Sequence, residues 1–470
     1  MYNNTPKVIG EGSYGCVHKP SLTCKDKTVN YNGKVSKYMN NRAARTEMKE
    51  YSAIQNIDKD ADYYMGHPIY CKVDETNPIN INAIRECEEG KEILNENKMV
   101  ENNTLLIMKD GGLDLHEFVK KYKDEEKTQE LQEKIEKFWM ECHRLLKGLR
   151  VFINNQFVHH DIKPQNIMYN ESENRLNYID FGVSQNMKNI IETSNANSYI
   201  RAKFWWNYPP EMRFYHKKEY MEFFTKSDDD KSELYLNYLN SYNTNRNVNM
   251  PSTFSNTFKM LFGYIENPKT VEKQLKTKFF EDLEEFFIND SYTKRNYMEF
   301  LGDSTITIDI YGLGVSLMYV LTNTPHLIDN NLFEELYDIF YKMMHPNLLE
   351  RYDIDVLIQD YEFILNKTGV LQKYGKHFEN NELVNRKENK LNNDIKSVIQ
   401  VIEKTPINLD PDALNRLFRE PPEESATKMD MSVEKVHSDV RRMSKSKKSK
   451  GVYKATRRYG VKKTLKSTRA

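Results

Sequence analysis

The 470-residue sequence is poor in glycine, with 18, and in tryptophan, with three. It has five cysteines, Cys16, Cys24, Cys71, Cys87 and Cys142, which form no CxxC or Cys/His spacing. That excludes a zinc ribbon or a dense disulfide framework, and the sparse, odd set reads as reduced thiols in an intracellular, cytosol-like compartment. The N-terminal MYNNTPKVIG lacks a basic region followed by an apolar one, so it does not read as a signal peptide. Long apolar runs are missing too. The richest, Ile306 to Thr322, contains Asp309 and reads as a buried helix rather than a membrane span. No internal repeat is visible. Net charge is also absent, with 69 Lys and Arg against 69 Asp and Glu. Taken as uniform, that balance excludes a nucleic-acid-coating protein or a polybasic membrane binder.

The charge is not uniform. Residues 441–470 hold 13 Lys and Arg and no acidic residue, which leaves 56 basic against 69 acidic residues in 1–440. The chain is an acidic body with a basic arm. Such an arm attaches to an anionic partner, nucleic acid or acidic protein, by counterion release; a merely solubilising tail is the plainer alternative.

With 39% hydrophobic and 12% aromatic residues, the rest of the chain can bury a substantial core. The first hundred residues read as strands and turns: Val8-Ile9, Cys16 to His18, Gly33 to Met39, Ile69 to Val73 and Thr104 to Met108. One helix, Ala43 to Ile57, interrupts them. Helical periodicity dominates beyond Lys109 to Gly112, with a long run from Leu131 to Phe157. Residues 212–300 are aromatic and charged and read as packed helices. Residues 371–430 are polar with one helix, Leu391 to Ile402, and 431–470 read as disordered.

Gly10, Gly12 and Gly15 form GxGxxG, followed by Val17. Taken alone it is a weak signal, and an ordinary glycine hairpin is the bland reading. A dinucleotide fold would continue as a helix. Here Val17-His18 continue as a strand, which fits a glycine hairpin over a triphosphate, where missing Cβ atoms let backbone N–H groups reach phosphate oxygens. Downstream stands His159-His160-Asp161-Ile162-Lys163-Pro164-Gln165-Asn166, and Asp180-Phe181-Gly182 begins fourteen residues past Asn166.

With these motifs in this order, residues 7 to 365 resemble the eukaryotic-type protein kinase superfamily. In style they resemble the divergent serine/threonine kinases of large DNA viruses, which would place the protein in host cytoplasm or virion. The resemblance implies an α+β fold of two lobes. A small β-rich lobe spans 1–108, a hinge 109–112, and a helical lobe 113–370 carries an insertion at about 212–300. It implies ATP and Mg²⁺ as cofactors and protein Ser/Thr hydroxyls as acceptors. Gly10, Glu11, Gly12, Ser13, Tyr14 and Gly15 would cover the phosphates. Val17 and Met168 would sandwich the purine, and Met108 would border the adenine pocket. Lys37 would contact the α- and β-phosphates and pair with Glu50, or with Glu47 one turn earlier. Asp161 would take or orient the substrate proton, Lys163 would balance charge on the transferring group, and Asn166 and Asp180 would hold the metal. His159 reads as a packing and hydrogen-bonding residue.

Tyr208-Pro209-Pro210-Glu211 resembles the end of a substrate-docking segment, with Arg351 as the expected partner of Glu211. Asp309 resembles the anchor of the catalytic loop. Both features separate a protein kinase from a small-molecule kinase, and the intact Lys37, Asp161, Asn166 and Asp180 separate it from an inactive scaffold. Two departures stand out. His160 replaces an arginine that grips an activation-loop phosphate in the family, so activity is expected without that phosphate. From Glu211 to Asp309 the chain runs 98 residues, where the family needs about a dozen.

Overall fold

The structure, a computed structural model, describes residues 5–12, 15–96, 103–199, 207–233, 278–279, 281–286, 288 and 296–374. By its contacts the chain divides into Met1–Ile402 and Glu403–Ala470, and every described residue lies in the first. Ser13, Tyr14, the helix expected at Leu391 to Ile402, most of the 212–300 insertion and the basic arm lie outside the described residues.

Strands β1 (Lys7–Gly12) and β2 (Gly15–Lys19) form an antiparallel hairpin. β3 (Lys34–Asn40) follows, and α1 (Asn41–Ile57) starts directly from it because the Asn40 side chain caps the Ala43 N–H. β4 (Ile69–Lys72), α2 (Pro78–Arg85), α3 (Glu88–Glu96) and β5 (Asn103–Lys109) complete the small lobe. Its sheet has the order β1-β2-β3-β5-β4 with every pairing antiparallel.

Helices α2 and α3 depart from the strand-and-turn reading of this region. The Pro78-Ile-Asn-Ile-Asn run alternates like a strand, but Asn77 caps the helix and Pro78 stands at its first turn, where a missing N–H costs nothing.

The cysteines depart as well. Cys16 bonds to Cys87 and Cys24 to Cys71, with Cα separations of 6.4 and 5.9 Å, inside the range a disulfide requires. The expectation of reduced thiols is therefore corrected for four of the five. The partners are 71 and 47 residues apart, so no sequence spacing reveals them, and only the packing of helices and loops on the sheet brings them together. Cys142 stays a buried thiol, and burial pushes its pKa well up.

The large lobe opens with β6 (Leu113–Asp114) and α4 (Leu115–Tyr122), then α5 (Gln129–Asn154), capped by Thr128. β7 (Phe157–Val158) pairs with β10 (Gln185–Asn186), and β8 (Ile167–Asn170) lies between β6 and β9 (Arg175–Tyr178). After α6 (Met187–Asn195) and α7 (Lys217–Phe224) comes α8 (Tyr297–Asn323), then α9 (Asn330–Met343), α10 (Ile354–Lys367) and α11 (Val370–Tyr374). Asn296 and Glu299 close a capping box at the start of α8.

Among the described residues α8 alone is long and apolar enough to cross a membrane, yet 94% of its most apolar stretch is buried. A helix apolar all round belongs inside a core, as expected for Ile306 to Thr322. One apolar cluster runs from Tyr51 through α4, α5 and α8 to Val370.

Candidate active site

β7 delivers His159, His160 and Asp161 to one end of the large lobe. The His159 and His160 N–H groups donate to the two carboxylate oxygens of Asp309, at 2.6 and 2.9 Å. Burial pushes the Asp309 pKa up, and the nearby His159 and the two N–H donors pull against it. His160 has φ +68°, a left-handed conformation rare outside glycine and characteristic of functional loops. The His159 ring donates to Ile179 O at 3.0 Å and lies 4.7 Å from Phe181, so it packs and hydrogen-bonds as expected.

The Asp161 carboxylate is surrounded by donors. Its Oδ2 accepts from Lys163 Nζ at 2.6 Å and Asn166 Nδ2 at 2.9 Å, and its Oδ1 from Asn207 Nδ2 at 3.2 Å. An ionised carboxylate has about four acceptor sites, two per oxygen. Among the described residues three are filled, and the open one is on Oδ1.

Lys37 sits on β3 opposite Val17 of β2 and Leu106 of β5. Its Nζ meets Glu47 Oε2 at 2.7 Å. Burial works against the ammonium, but Glu47, Asp180 and Glu50 together outweigh it and raise its pKa. The expectation of a Glu50 partner is thus corrected: the ion pair is with Glu47. The physical reason is the abrupt start of α1. With Asn40 as cap, Glu47 comes level with Lys37 two turns into the helix. Glu50 lies a turn further on, where its carboxylate would be 3.7 Å from a Cβ placed on Gly182. Asp180, at φ +62°, has its Oδ1 3.1 Å from the same point and is exposed.

The rim residues fall into two groups. A Cβ on Gly15 would lie 2.1 Å from Tyr38 O, so close packing on β3 demands glycine there; one on Gly10 would meet only Val17, at an ordinary 3.7 Å. Gly10 therefore has room to spare at its Cα. The Glu11 side chain turns to α3 and accepts from the Glu89 N–H at 3.1 Å. At the end of β5, Met108 is half-buried and its sulfur accepts from the Tyr51 hydroxyl at 3.6 Å. Met168 packs so closely that a Cβ on Gly111 would come within 3.0 Å of it, and Gly112 is held at φ +85° under Tyr169. Both glycines of the 109–112 connection are thus dictated by packing on β8.

Residues 3–221 match the protein kinase domain family. That match supports the eukaryotic-type protein kinase superfamily for this stretch of the chain. The chain is also similar to the serine/threonine-protein kinase prpf4B of Dictyostelium discoideum, 23% identical over 254 residues, covering 50% of this chain and 27% of that one. The chain thus spans about a quarter of the length of that relative.

The kinase match stops at residue 221, but the fold returns to it later in the chain. Arg351 reaches Glu211 through two contacts, Nη1–Oε1 at 2.6 Å and Nη2–Oε2 at 3.1 Å, both side chains fully buried. The expected Glu211–Arg351 pair and the Asp309 anchor are therefore both in place, across the insertion.

The oxygen donors at Asn166 and Asp180 fit a hard cation such as Mg²⁺. The Asn166 amide nitrogen is committed to Asp161 Oδ2 and, at 2.8 Å, to Asp161 O, which leaves its amide oxygen as the available donor atom. Asp180 offers an exposed carboxylate. No group of three or more His, Cys, Asp or Glu gathers among the described residues. The pair suits a hard cation that takes its remaining ligands from water and phosphate.

Two residues of the site escape sequence reading. Asn207 fills Asp161 Oδ1, and Tyr199 hydrogen-bonds the His160 ring. Asn207 stands immediately before Tyr208-Pro209-Pro210-Glu211, a position that signals its neighbourhood but not its partner. Nothing in the sequence around Tyr199 points to His160.

Proposed function

We propose that this chain transfers the γ-phosphoryl group of ATP to Ser or Thr hydroxyls of proteins, with Mg²⁺. The observation that carries the reading is the acceptor site left open on Asp161 Oδ1 among the described residues, with Lys163 bonded to the same carboxylate. A substrate hydroxyl placed there gives its proton to Oδ1 as its oxygen attacks phosphorus, and the bond from phosphorus to the β,γ-bridging oxygen breaks, leaving ADP.

Lys37, held by Glu47, orients the α- and β-phosphates. Lys163 is fixed near the attacked phosphoryl before charge develops, and a cation placed in advance needs no reorganisation during the reaction. Asn166 and Asp180 would hold Mg²⁺, which when bound neutralises phosphate charge. Gly10 leaves open space against the nucleotide, and Val17, Met108 and Met168 supply its apolar borders.

Transfer of labelled phosphate from ATP to a mixture of generic proteins, followed by acid hydrolysis, tests the acceptor. Label in phosphoserine and phosphothreonine is expected; label chiefly in phosphotyrosine would overturn the Ser/Thr reading. The basic arm carries a separate proposal, an anionic partner held by counterion release. Affinity for a polyanion should fall steeply with salt for the full chain, and a 1–440 truncation with equal low-salt affinity would overturn it.

A further inference from the structure

Between Gly182 and Glu211 the chain touches the catalytic loop at two described places. At the first, the Tyr199 hydroxyl and the His160 ring share a hydrogen bond with both residues buried, and His216 Nε2 donates to Tyr199 O at 2.8 Å. Tyr208 lies edge-on to the same His160 ring at 4.9 Å. At the second, Asn207, 2% exposed, donates its amide N–H groups to Asp161 Oδ1 at 3.2 Å and to Ile162 O at 3.0 Å. His160 and Asp161 are consecutive, so both contacts act on the backbone that Asp309 holds from behind. Both contacts are made by uncharged groups of the segment, a hydroxyl and an amide.

We infer that Tyr199–His160 and Asn207–Asp161 form a phosphate-free latch between the activation segment and the catalytic loop, with Asn207 a positioning residue for the reacting carboxylate. This rests on the kinase reading. Asn207 reaches both the Asp161 side chain and the carbonyl of the next residue, so it fixes the carboxylate's rotation relative to its own backbone. It also fills one of the two sites on Oδ1, which leaves one direction from which a hydroxyl can approach. Reacting groups misplaced by about 1 Å lose roughly a hundredfold in rate, so a donor that sets this rotation acts on turnover rather than on nucleotide affinity. Tyr199 holds the histidine whose backbone precedes that carboxylate.

The test uses the full chain, treated with a protein phosphatase and then freed of it. Wild type, Asn207→Ala, Asn207→Asp, Tyr199→Phe and Asp161→Asn are compared for kcat, for KM of ATP and for ADP affinity. Dephosphorylated wild type should keep its full rate. Asn207→Ala should lower kcat about 10- to 100-fold, the range for a hydrogen bond to a charged group, with KM for ATP and ADP affinity within about twofold. Asn207→Asp keeps the shape but turns an acceptor on Asp161, and should lose at least as much. Tyr199→Phe removes one hydroxyl and should cost about three- to tenfold.

Retained ADP affinity separates a lost latch from a misfolded chain. Full kcat in both Asn207→Ala and Tyr199→Phe, an active wild type that dies on dephosphorylation, or losses that appear equally in kcat and ADP affinity would each overturn the latch. Wild type no faster than Asp161→Asn would overturn the kinase reading itself, and the catalytic role of Asn207 with it.

Discussion

The small lobe and the large lobe hold their catalytic groups by different means. In the small lobe, Lys37 is oriented through an ion pair to Glu47, on a helix outside the sheet, while one disulfide ties β2 to the turn between α2 and α3 and the other ties Cys24 to β4. In the large lobe, Asp161 receives three donors, its preceding backbone is tied to Asp309, and the Glu211–Arg351 pair locks the end of the activation segment into the core. The large-lobe half of the site is thus set by redundant buried contacts before any ligand arrives. Among the described residues, the small-lobe half rests on an ion pair between a strand and a helix, with the Asp180 and Glu50 charges nearby.

Breaking the large-lobe lock should have the largest effect on stability. Arg351→Ala leaves Glu211 buried and unpaired, and should cost about 3–5 kcal/mol in denaturant unfolding. Replacing both partners together, Glu211→Leu with Arg351→Met, should cost clearly less than Arg351→Ala alone. Additive losses would contradict the burial argument.

The staples of the small lobe come next. Each closes a long loop, 71 or 47 residues, and the chain-entropy account gives about 4 kcal/mol for each. Cys71→Ser should therefore lower the midpoint of small-lobe unfolding, followed by hydrogen exchange in β4 and β5, and should leave α8 protected. Equal loss of protection in α8 would mean that the two lobes are not held independently.

The Lys37 contact should give a smaller, functional effect. Glu47→Gln should raise KM for ATP about tenfold, the equivalent of about 1.4 kcal/mol, and Glu50→Gln should raise it less. The reverse order would restore Glu50 as the functional partner.

Titration gives the smallest effect and appears in both lobes. Burial lowers the pKa of His18 in β2 and of His143 in α5. His143 donates to Glu362 at 2.6 Å as a neutral ring, and His18 donates to Ala83 O at 3.2 Å. Both stay neutral in the fold but take up protons near pH 6.5 when unfolded, so the stability they hold is full above about pH 6.5 and lost as pH falls below it. The melting temperature should drop by a few degrees between about pH 7.5 and 5.5, and His143→Gln should flatten that slope. An unchanged slope would contradict the assignment.

The same contrast between local and distant contacts sets what the sequence discloses. His159 to Asn166 and Asp180 to Gly182 lie within one loop or turn, so their chemistry is written contiguously. Asp309 and Arg351 are far away in the chain, but they carry their own motif or sit after one. Asn207, Tyr199 and the cysteine pairs have no such local mark: their partners are fixed by how the sheet and the activation segment pack. The Glu47–Glu50 choice turned on where α1 begins. The cap that sets it, Asn40, is visible, but its consequence depends on the strand leading straight into the helix. Helix α2 is masked by an Ile-Asn alternation that mimics a strand.

The central claim is that Asp161 is the proton acceptor of a phosphoryl transfer. Labelled-ATP transfer to protein by wild type beside Asp161→Asn, with ADP affinity measured on both, tests it most directly. Transfer should fall about 10²- to 10⁴-fold in the variant while ADP affinity stays the same. Equal transfer by the two proteins would contradict the account.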